Sequence, residues 1–299
     1  MTADILSPAA TSAGDRAGKG FLFWTGAVIV GLALLMAVLG PWLVPYDPAT
    51  PADTVSAPPP PLADWPGLLW ATLAGGEKAP HWFGTDAAGL DVFSRTIVAA
   101  RTDLVIALAA NILSFGIGVG LGVVAGYFRN WATELLMRAS DLLQSFPVFI
   151  TAMILVALGG RGWGNIVLAL TLLYAPIYLR LTRAEVLTLR ERGFVEAARA
   201  SGAGDWSVAI RHVLPNALGP ALIQSSVTIG FAILLTAGLS FVGAGVRPPT
   251  PEWGLMIANG AGQIVLGDWW PSLFPGLAIS LTVFGFAALG HALERRHAA

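Results

Sequence analysis

The sequence predicts an all-α polytopic membrane protein with six transmembrane helices, and both composition and charge spacing point to this class. Hydrophobic residues make up 55% of the 299 residues and charged residues only 12%, and the mean hydropathy is +0.69. A soluble domain does not have such a composition. A membrane-crossing helix takes about 20 apolar residues, and the chain has six windows of about this length or more without Asp, Glu, Lys or Arg. The windows are 20–46, 104–128, 142–160, 162–179, 212–246 and 269–293.

The first span follows a predicted cytoplasmic tail, residues 1–20, and is expected to stay in the chain as an anchor. Its apolar stretch, residues 21–44, is well beyond the roughly 7–15 apolar residues of a cleaved signal peptide. Residues 45–98 then form a predicted extracytoplasmic loop. In this loop the tract Pro58–Pro61 favours an extended path, and the tryptophan-containing piece Trp65–Leu73 suits the membrane interface.

The other five spans form a predicted core over residues 99–293, followed by a cytoplasmic tail over 294–299. In the second span, alternating glycines superficially resemble a nucleotide-binding loop, but they lie in an apolar run and lack the Lys that contacts phosphates. Glycines four residues apart instead let membrane helices approach closely. The pairs concerned are Gly116/Gly120, Gly118/Gly122 and Gly122/Gly126. Because the chain has no phosphate-binding loop, we expect it not to hydrolyse ATP itself.

The third and fourth windows are short, and each needs a further turn from its flanks to cross the membrane. Pro147 is expected to kink the third helix, because proline removes one backbone hydrogen bond. The spacing of Glu134, Arg138 and Asp141 before it predicts a local ladder of ion pairs. Later in the chain, the charge-free run 253–267 is too short and too rich in glycine to span, so we expect an interfacial or re-entrant segment.

Small and mildly polar side chains recur along one face of the fifth predicted span. Such a stripe is suited either to lining a substrate pathway or to packing against a partner helix, and the sequence alone leaves both interpretations open. The residues are Ser225, Thr228, Ala232, Thr236 and Ser240.

The distribution of basic residues predicts that both termini are cytoplasmic, because loops rich in Lys and Arg stay on that side. In this orientation twelve basic residues lie inside: Arg16, Lys19, Arg129, Arg138, Arg180, Arg183, Arg190, Arg192, Arg199, Arg211, Arg295 and Arg296. Five lie outside: Lys78, Arg95, Arg101, Arg161 and Arg247.

The polar, basic segment 196–220 between two apolar runs has the pattern of a short helical knuckle. Residues 194–201 have a helix-forming composition, and the Gly-Ala-Gly at 202–204 allows a sharp turn with positive φ at Gly202. Asp205 is expected to cap a second short helix over 206–213, before Pro215 starts the next run. An ordinary cytoplasmic loop is the alternative, but the pattern favours an element that docks in a groove of another protein.

The sequence lacks the residues that disulfides, metal sites and catalytic sites require. The chain has no cysteine, and its four histidines are scattered, so no metal site is predicted. No Ser-His-Asp set or pair of carboxylates occurs at catalytic spacing, so an enzyme is not expected. The net charge of −1 gives no field that would attract nucleic acid.

Seven segments, in this order, resemble the permease subunits of dipeptide, oligopeptide and nickel ABC importers, and most closely the second permease of the pair, the DppC/OppC type. The segments are GTDAAGLDVFSR (84–95), AGYFRNW (125–131), RASDLLQSFP (138–147), NIVLAL (165–170), LRERGFVEAARASGA (189–203), HVLPNALGP (212–220) and LSFVGAGVRPPTPEWG (239–254). Two departures are Leu90, where the family usually has Arg, and His291, where the family has an acidic residue near the C-terminus.

The resemblance implies a type I ABC importer permease fold in a bacterial inner membrane. It also implies a heterodimer with a homologous second permease, two cytoplasmic ABC ATPase subunits that hold ATP and Mg, and an extracytoplasmic substrate-binding protein. No cofactor is expected on this chain. The resemblance assigns coupling to the ATPases to the EAA motif in the loop 182–213, and the residues concerned are Glu196, Ala197, Ala198, Ser201, Gly202 and Ala203.

The expected function is therefore that of a permease that imports di- or oligopeptides at the expense of ATP hydrolysed by its partners. Nickel or a metal chelate is the alternative substrate, because these permeases resemble one another closely. An ATP-independent carrier or channel is the alternative from a different class. Carriers often contain inverted repeats, and the two halves of this sequence show no convincing repeat.

Overall fold

The computed structural model describes residues 8–73 and 79–297, without the side chains of residues 8–20, 73, 296 and 297. Lys78 and the side chains of Arg16, Lys19 and Arg296, which enter the predicted charge asymmetry, lie outside the described part. The described residues form eleven α-helices with short 3-10 and π turns, and they contain one isolated β-bridge but no strand. The helices are α1 Pro8–Leu43, α2 Trp65–Leu73, α3 Val92–Tyr127, α4 Trp131–Gln144, α5 Val148–Gly159, α6 Trp163–Leu189, α7 Gly193–Ala200, α8 Asp205–Val208, α9 Leu214–Phe241, α10 Trp253–Ala261 and α11 Trp270–His297.

Five helices are long and apolar enough to cross a membrane, and the pair α4 and α5 makes a sixth if it counts as one bent span. The five are Phe21–Leu43, Val92–Tyr127, Trp163–Leu189, Asp205–Phe241 and Trp270–Arg295. This confirms the predicted all-α membrane fold.

The third predicted window, 142–160, is not one straight span. α4 and α5 meet at 97°, and α5 has only 12 residues, about 18 Å of helix at 1.5 Å per residue, which is shorter than the bilayer core of about 30 Å. The break falls at Pro147, which caps α5 and has no backbone N–H to continue α4. The predicted kink is thus confirmed.

Several helices extend beyond boundaries that were drawn from charges. α3 begins at Val92, inside the predicted loop 45–98, because Oδ2 of Asp91 accepts the backbone N–H of Ser94 at 2.7 Å and caps the helix. Likewise α6 extends to Leu189 inside the loop 182–213. The helices α1 and α11 include parts of the two predicted tails. A helix can continue through charged residues once it has left the hydrocarbon core. The position of the charges therefore marks the membrane boundary and not the end of the helix.

The helices α3 and α6 pack through glycines. A Cβ atom added at Gly122 would lie 2.7 Å from Cβ of Thr182, and one added at Gly126 would lie 2.7 Å from Cβ of Val186. Gly118 likewise contacts the backbone of α6, whereas Gly116 has no such neighbour within 4 Å. The predicted close approach is therefore confirmed for the 118/122/126 row and is wrong within this chain for the 116/120 pair, which faces away from α6.

The run 253–267 forms the short helix α10 and the 3-10 turn Ile264–Leu266, and it is not among the candidate spans. α10 packs against α9 and α11, where Gly254 lies against the backbone of Ala237. The 45–91 loop is attached to the same end of the bundle, because Nε1 of Trp270 donates to the carbonyl of Thr85 at 2.9 Å. The 45–91 loop and α10 therefore cover one end of the helix bundle.

Candidate functional site

The segment between α6 and α9 projects a short helix from one end of the bundle, and residues 193–213 are called the knuckle below. In α7, Val195 is fully buried and packs with Val186, Val208 and Val213 in a small apolar cluster. The side chain of Glu196 is exposed, and no hydrogen bond or ion pair to it is formed by the described residues. One face of α7 is therefore held by the protein and the other face is free for a partner.

A tight turn ends α7 at Gly202, whose φ of +85° confirms the predicted left-handed conformation. The N–H of Gly202 donates to the carbonyl of Arg199 at 2.9 Å, and the N–H of Ala203 donates to that of Ala198 at 3.1 Å. These bonds satisfy carbonyls at the helix end. A Cβ atom added at Gly202 would meet nothing within 4 Å, so only the backbone conformation requires glycine here.

The second half of the knuckle differs from the prediction in two ways. Gly204, not Asp205, is the N-cap of α8, and it makes no side-chain cap. α8 is also not a separate helix over 206–213, because a π turn over Ala209–Val213 joins it to α9 without a break. Pro215 lies just after this turn and lacks the N–H that a regular α-helix would use, and a π turn is one way to accommodate this.

The carboxylate of Asp205 instead binds Tyr127, the last residue of α3. The hydroxyl of Tyr127 donates to Oδ1 of Asp205 at 2.9 Å and accepts from Nη2 of Arg199 at 3.0 Å. The Arg199 guanidinium also lies 3.8 Å from this carboxylate and 5.3 Å from the centre of the Tyr127 ring. One buried tyrosine thus links α7, α8 and α3. The sequence prediction missed Tyr127, because no local pattern relates residues 78 positions apart.

Two further contacts fix the base of the knuckle. Nη1 of Arg190 donates to the backbone carbonyl of Tyr127 at 3.1 Å, which satisfies an open carbonyl at the end of α3. The rings of Phe128 and Trp206 have centroids 4.7 Å apart. Arg190, which caps the end of α6, thus holds α6 to the end of α3, and the knuckle itself is attached to α3 by the aromatic pair and the Tyr127 hydroxyl.

The residues predicted to couple to the ATPases fall into two groups. Glu196, Ala197, Ser201 and Gly202 are exposed. Ala198 and Ala203 are half-buried and pack against the apolar cluster. The structure brings the six predicted residues together on one small element.

The polar stripe of α9 lies inside the protein. Thr228, Ala232, Thr236 and Ser240 are almost fully buried, and the half-buried Ser225 hydroxyl lies 3.3 Å from the Tyr178 hydroxyl on α6. Packing within the chain accounts for these positions, and their role in a substrate pathway stays a prediction.

The predicted ladder of Glu134, Arg138 and Asp141 is not formed. Asp141 instead pairs with Arg180 of α6, with Oδ1 and Nη2 2.7 Å apart. Among the described residues no ion pair joins the three members of the ladder. Because α6 carries a basic residue beside α4, the pair between helices replaces the pair within α4.

Two family models match the chain. Residues 118–298, which include the knuckle, match "Binding-protein-dependent transport system inner membrane component". The chain belongs to this family. Residues 22–60 match "N-terminal TM domain of oligopeptide transport permease C", so both the first span and the core have family counterparts. The protein is thus a membrane-spanning permease of the inner-membrane component class, as the sequence resemblance predicted.

Individual relatives agree with this assignment. The chain is 37% identical over 270 residues to the probable D,D-dipeptide transport system permease protein DdpC of Escherichia coli K12, which covers 90% of this chain and 85% of the relative. It is 35% identical over 272 residues to the glutathione transport system permease protein GsiD of Pectobacterium atrosepticum, again over 90% and 85% of the two chains.

A solved structure supports the fold. A chain of the MetNI methionine ABC transporter in an inward-facing conformation matches with a TM-score of 0.50 and 21% identity, over 67% of this chain and 96% of that chain. At this identity the likeness concerns the fold alone. The helical arrangement described above is therefore shared with a chain of an ABC transporter.

Proposed function

We propose that this permease imports di- or oligopeptides as one subunit of an ATP-driven ABC importer. In this proposal it forms the membrane pathway with a homologous second permease, receives substrate from an extracytoplasmic binding protein, and uses two cytoplasmic ATPase subunits. ATP and Mg bind to those subunits and not to this chain. The supporting comparisons are the family membership and two relatives whose names specify a D,D-dipeptide and glutathione, both of which are short peptides.

The observation that carries the coupling role is that one face of α7 is buried and the other is exposed. Val195 fixes one side in the cluster, whereas Glu196 and Ala197 on the other side are exposed. An exposed surface on a well-packed helix transmits force better than a flexible loop, because the contacting residues cannot move independently of the bundle. We assign Glu196, Ala197, Ser201 and Gly202 to the surface that enters the ATPase groove, and Ala198 and Ala203 to the packed side.

The proposed mechanism is alternating access. ATP binding closes the two ATPases, and the knuckle follows this motion. Because the Tyr127 hydroxyl attaches the knuckle to the end of α3, and because α8 continues into α9, the displacement reaches two spanning helices directly. These spans then open the pathway outward to the binding protein, and hydrolysis resets the inward-facing state. If the packed helices have two stable arrangements, small shifts at the knuckle are enough to switch them from one to the other.

The experiment that tests this proposal is peptide uptake by the assembled transporter in lipid vesicles, with and without ATP and the binding protein. ATP-dependent uptake is the expected result. Uptake that proceeds without ATP and without the ATPase subunits would instead support a carrier or channel. Binding of dipeptides, oligopeptides and nickel chelates to the cognate binding protein then decides the substrate class, and selective binding of nickel chelates would contradict the peptide assignment.

A further inference from the structure

Two acidic side chains that play no part in the coupling path meet inside the protein. Asp103 lies on α3 and Glu252 precedes α10, and both are fully buried. The Glu252 carboxylate accepts the backbone N–H of Gly254 at 2.9 Å and that of Leu255 at 2.7 Å. Oδ2 of Asp103 accepts the N–H of Trp253 at 3.1 Å. Three successive amides at the start of α10 thus bind this pair of carboxyl groups.

No cation neutralises the pair among the described residues. The groups that act on the two carboxyls are each other, the Ser240 hydroxyl on α9 and the amides of α10. On α3 itself, Arg101 is exposed, and Arg95 donates to the carbonyl of Pro48. The neighbouring helices α1 and α11 carry no charged residue over 21–43 and 270–290. Two ionised carboxylates in contact at such a place repel each other and also lose their hydration.

A single proton resolves this arrangement. The carboxyl groups of Asp103 and Glu252 bind successive amides of α10, yet Oδ1 of Asp103 is buried with no donor among the described residues. Ionised carboxylates only accept hydrogen bonds, so a bond between two of them requires that one carries a proton. This proton provides the donor that the buried pair otherwise lacks.

We propose that Asp103 and Glu252 share one proton and act together as positioning residues that hold α10 on α3, so that loss of the proton loosens α10. The first residue of α10 makes the attachment specific, because the Trp253 ring is fully buried and its Nε1 donates to the carbonyl of Thr96 at 2.8 Å. The predicted orientation places this end of the bundle outside, where α10 lies between α9 and α11. The pair of carboxyl groups therefore makes the position of α10, which covers this end of the bundle, sensitive to pH.

Burial of the two carboxyl groups determines whether the attachment of α10 weakens at low or at high pH. Burial raises the pKa of Glu252, so the folded protein binds a proton that the unfolded chain releases. The stabilisation from the pair is fully present at pH values below the pKa of the carboxyl in the unfolded chain. It is lost as the pH rises from that value through the raised pKa in the folded protein. Attachment of α10 should accordingly weaken toward alkaline pH.

Hydrogen exchange of the full chain in lipid nanodiscs tests this proposal. Exchange of the α10 amides is measured from about pH 5 to about pH 9 and corrected for the intrinsic pH dependence of exchange. In the wild type we expect corrected exchange at the start of α10 to rise clearly toward alkaline pH, because loss of the shared proton removes the donor between the two carboxyls. Peptides from α6 provide the internal control. Wild-type exchange that stays flat would overturn the proposal.

Asp103→Asn is the matched variant. Its amide still offers an oxygen to the N–H of Trp253 and gives ionised Glu252 a permanent donor, so we expect protection of α10 that does not change with pH. Asp103→Leu removes the acceptor and should expose α10 at every pH. A pH dependence of Asp103→Asn equal to that of the wild type would contradict a shared proton. If that variant does not fold, infrared spectroscopy of the wild type decides, because the absence of a buried protonated carboxyl band at neutral pH would also refute it.

Discussion

The hydroxyl of Tyr127, at the end of α3, donates a hydrogen bond to Asp205 at 2.9 Å, across 78 residues of sequence. The same hydroxyl accepts from Arg199 at 3.0 Å. A buried ring at the end of one spanning helix therefore contacts the last turn of α7 and the first residue of α8. This relationship gives the knuckle a defined position on the bundle, and it makes the knuckle testable by small substitutions.

Tyr127→Phe should weaken coupling without unfolding the permease. The ring stays in the apolar cluster, but the hydroxyl and its bonds to Asp205 and Arg199 are lost. Each such bond contributes about 1 kcal/mol, and less here because both partners are exposed. We expect a melting temperature close to that of the wild type and a clear fall in peptide taken up per ATP hydrolysed. An unchanged ratio of uptake to hydrolysis would show that the hydroxyl only stabilises the fold.

Gly202→Val should distort the knuckle, whereas Gly204→Val should not. The φ of Gly202 is +85°, and that of Gly204 is −68°, although a Cβ atom would meet no neighbour at either position. The two substitutions therefore differ only in backbone strain, which costs roughly 1–3 kcal/mol in the left-handed region. We expect loss of uptake and of stimulated ATP hydrolysis for Gly202→Val alone, with assembly checked by co-purification. Equal activity of the two variants would mean that the turn geometry is irrelevant to coupling.

Gly122→Leu should disrupt the packing of α3 on α6, because a Cβ atom at this position already lies 2.7 Å from Thr182. Overpacking of a tight helix contact typically costs about 1–3 kcal/mol. Gly116→Leu is the control, since a Cβ atom there meets nothing within 4 Å. Thermal unfolding of the two variants in the same detergent measures the difference. Equal destabilisation by both would contradict the close α3–α6 approach.

The orientation is tested by cysteines introduced into this cysteine-free chain. Ala79→Cys should react with a membrane-impermeant thiol reagent in intact cells, and Ser201→Cys should react only after the cells are permeabilised. The prediction rests on the positive-inside rule. Labelling of position 201 and protection of position 79 in intact cells would reverse the whole topology.

Patterns within a single helix or loop were readable from the sequence. Five of the six charge-free windows identify a spanning helix, the glycine row 118/122/126 predicts a close helix contact, and the Gly-Ala-Gly at 202–204 predicts the turn. In each case the cause lies within a few neighbouring residues. Charge-based boundaries failed at Val92, because the helix start depends on a cap by Asp91 rather than on membrane position.

Contacts between distant segments were not readable in the same way. The bonds between Tyr127 and Asp205 and between Asp103 and Trp253 join residues 78 and 150 positions apart, and no local periodicity relates them. The pairing of Asp141 with Arg180, in place of the predicted ladder, has the same origin. A local pattern offers several possible partners, and only the packing of the helices selects among them.

The central claim, that the knuckle couples ATP hydrolysis to transport, is tested most directly by Glu196→Lys in the complete transporter in lipid vesicles. Glu196 is exposed on α7 and makes no side-chain bond among the described residues, so the substitution changes the docking surface without altering the fold. Glu294→Lys, at an exposed residue of α11 on the side predicted to be cytoplasmic, is the control for charge reversal. Both variants should insert and co-purify with the partner subunits.

The measurement is peptide uptake together with ATP hydrolysis stimulated by the binding protein. We predict that Glu196→Lys loses at least about tenfold in both, which corresponds to roughly 1.4 kcal/mol of coupling free energy, and that Glu294→Lys keeps near-parental values. If Glu196→Lys, assembled with its partners, transports peptide at the parental rate with parental stimulation of ATP hydrolysis, then residues 193–213 are an ordinary cytoplasmic loop and the coupling role assigned to them is wrong.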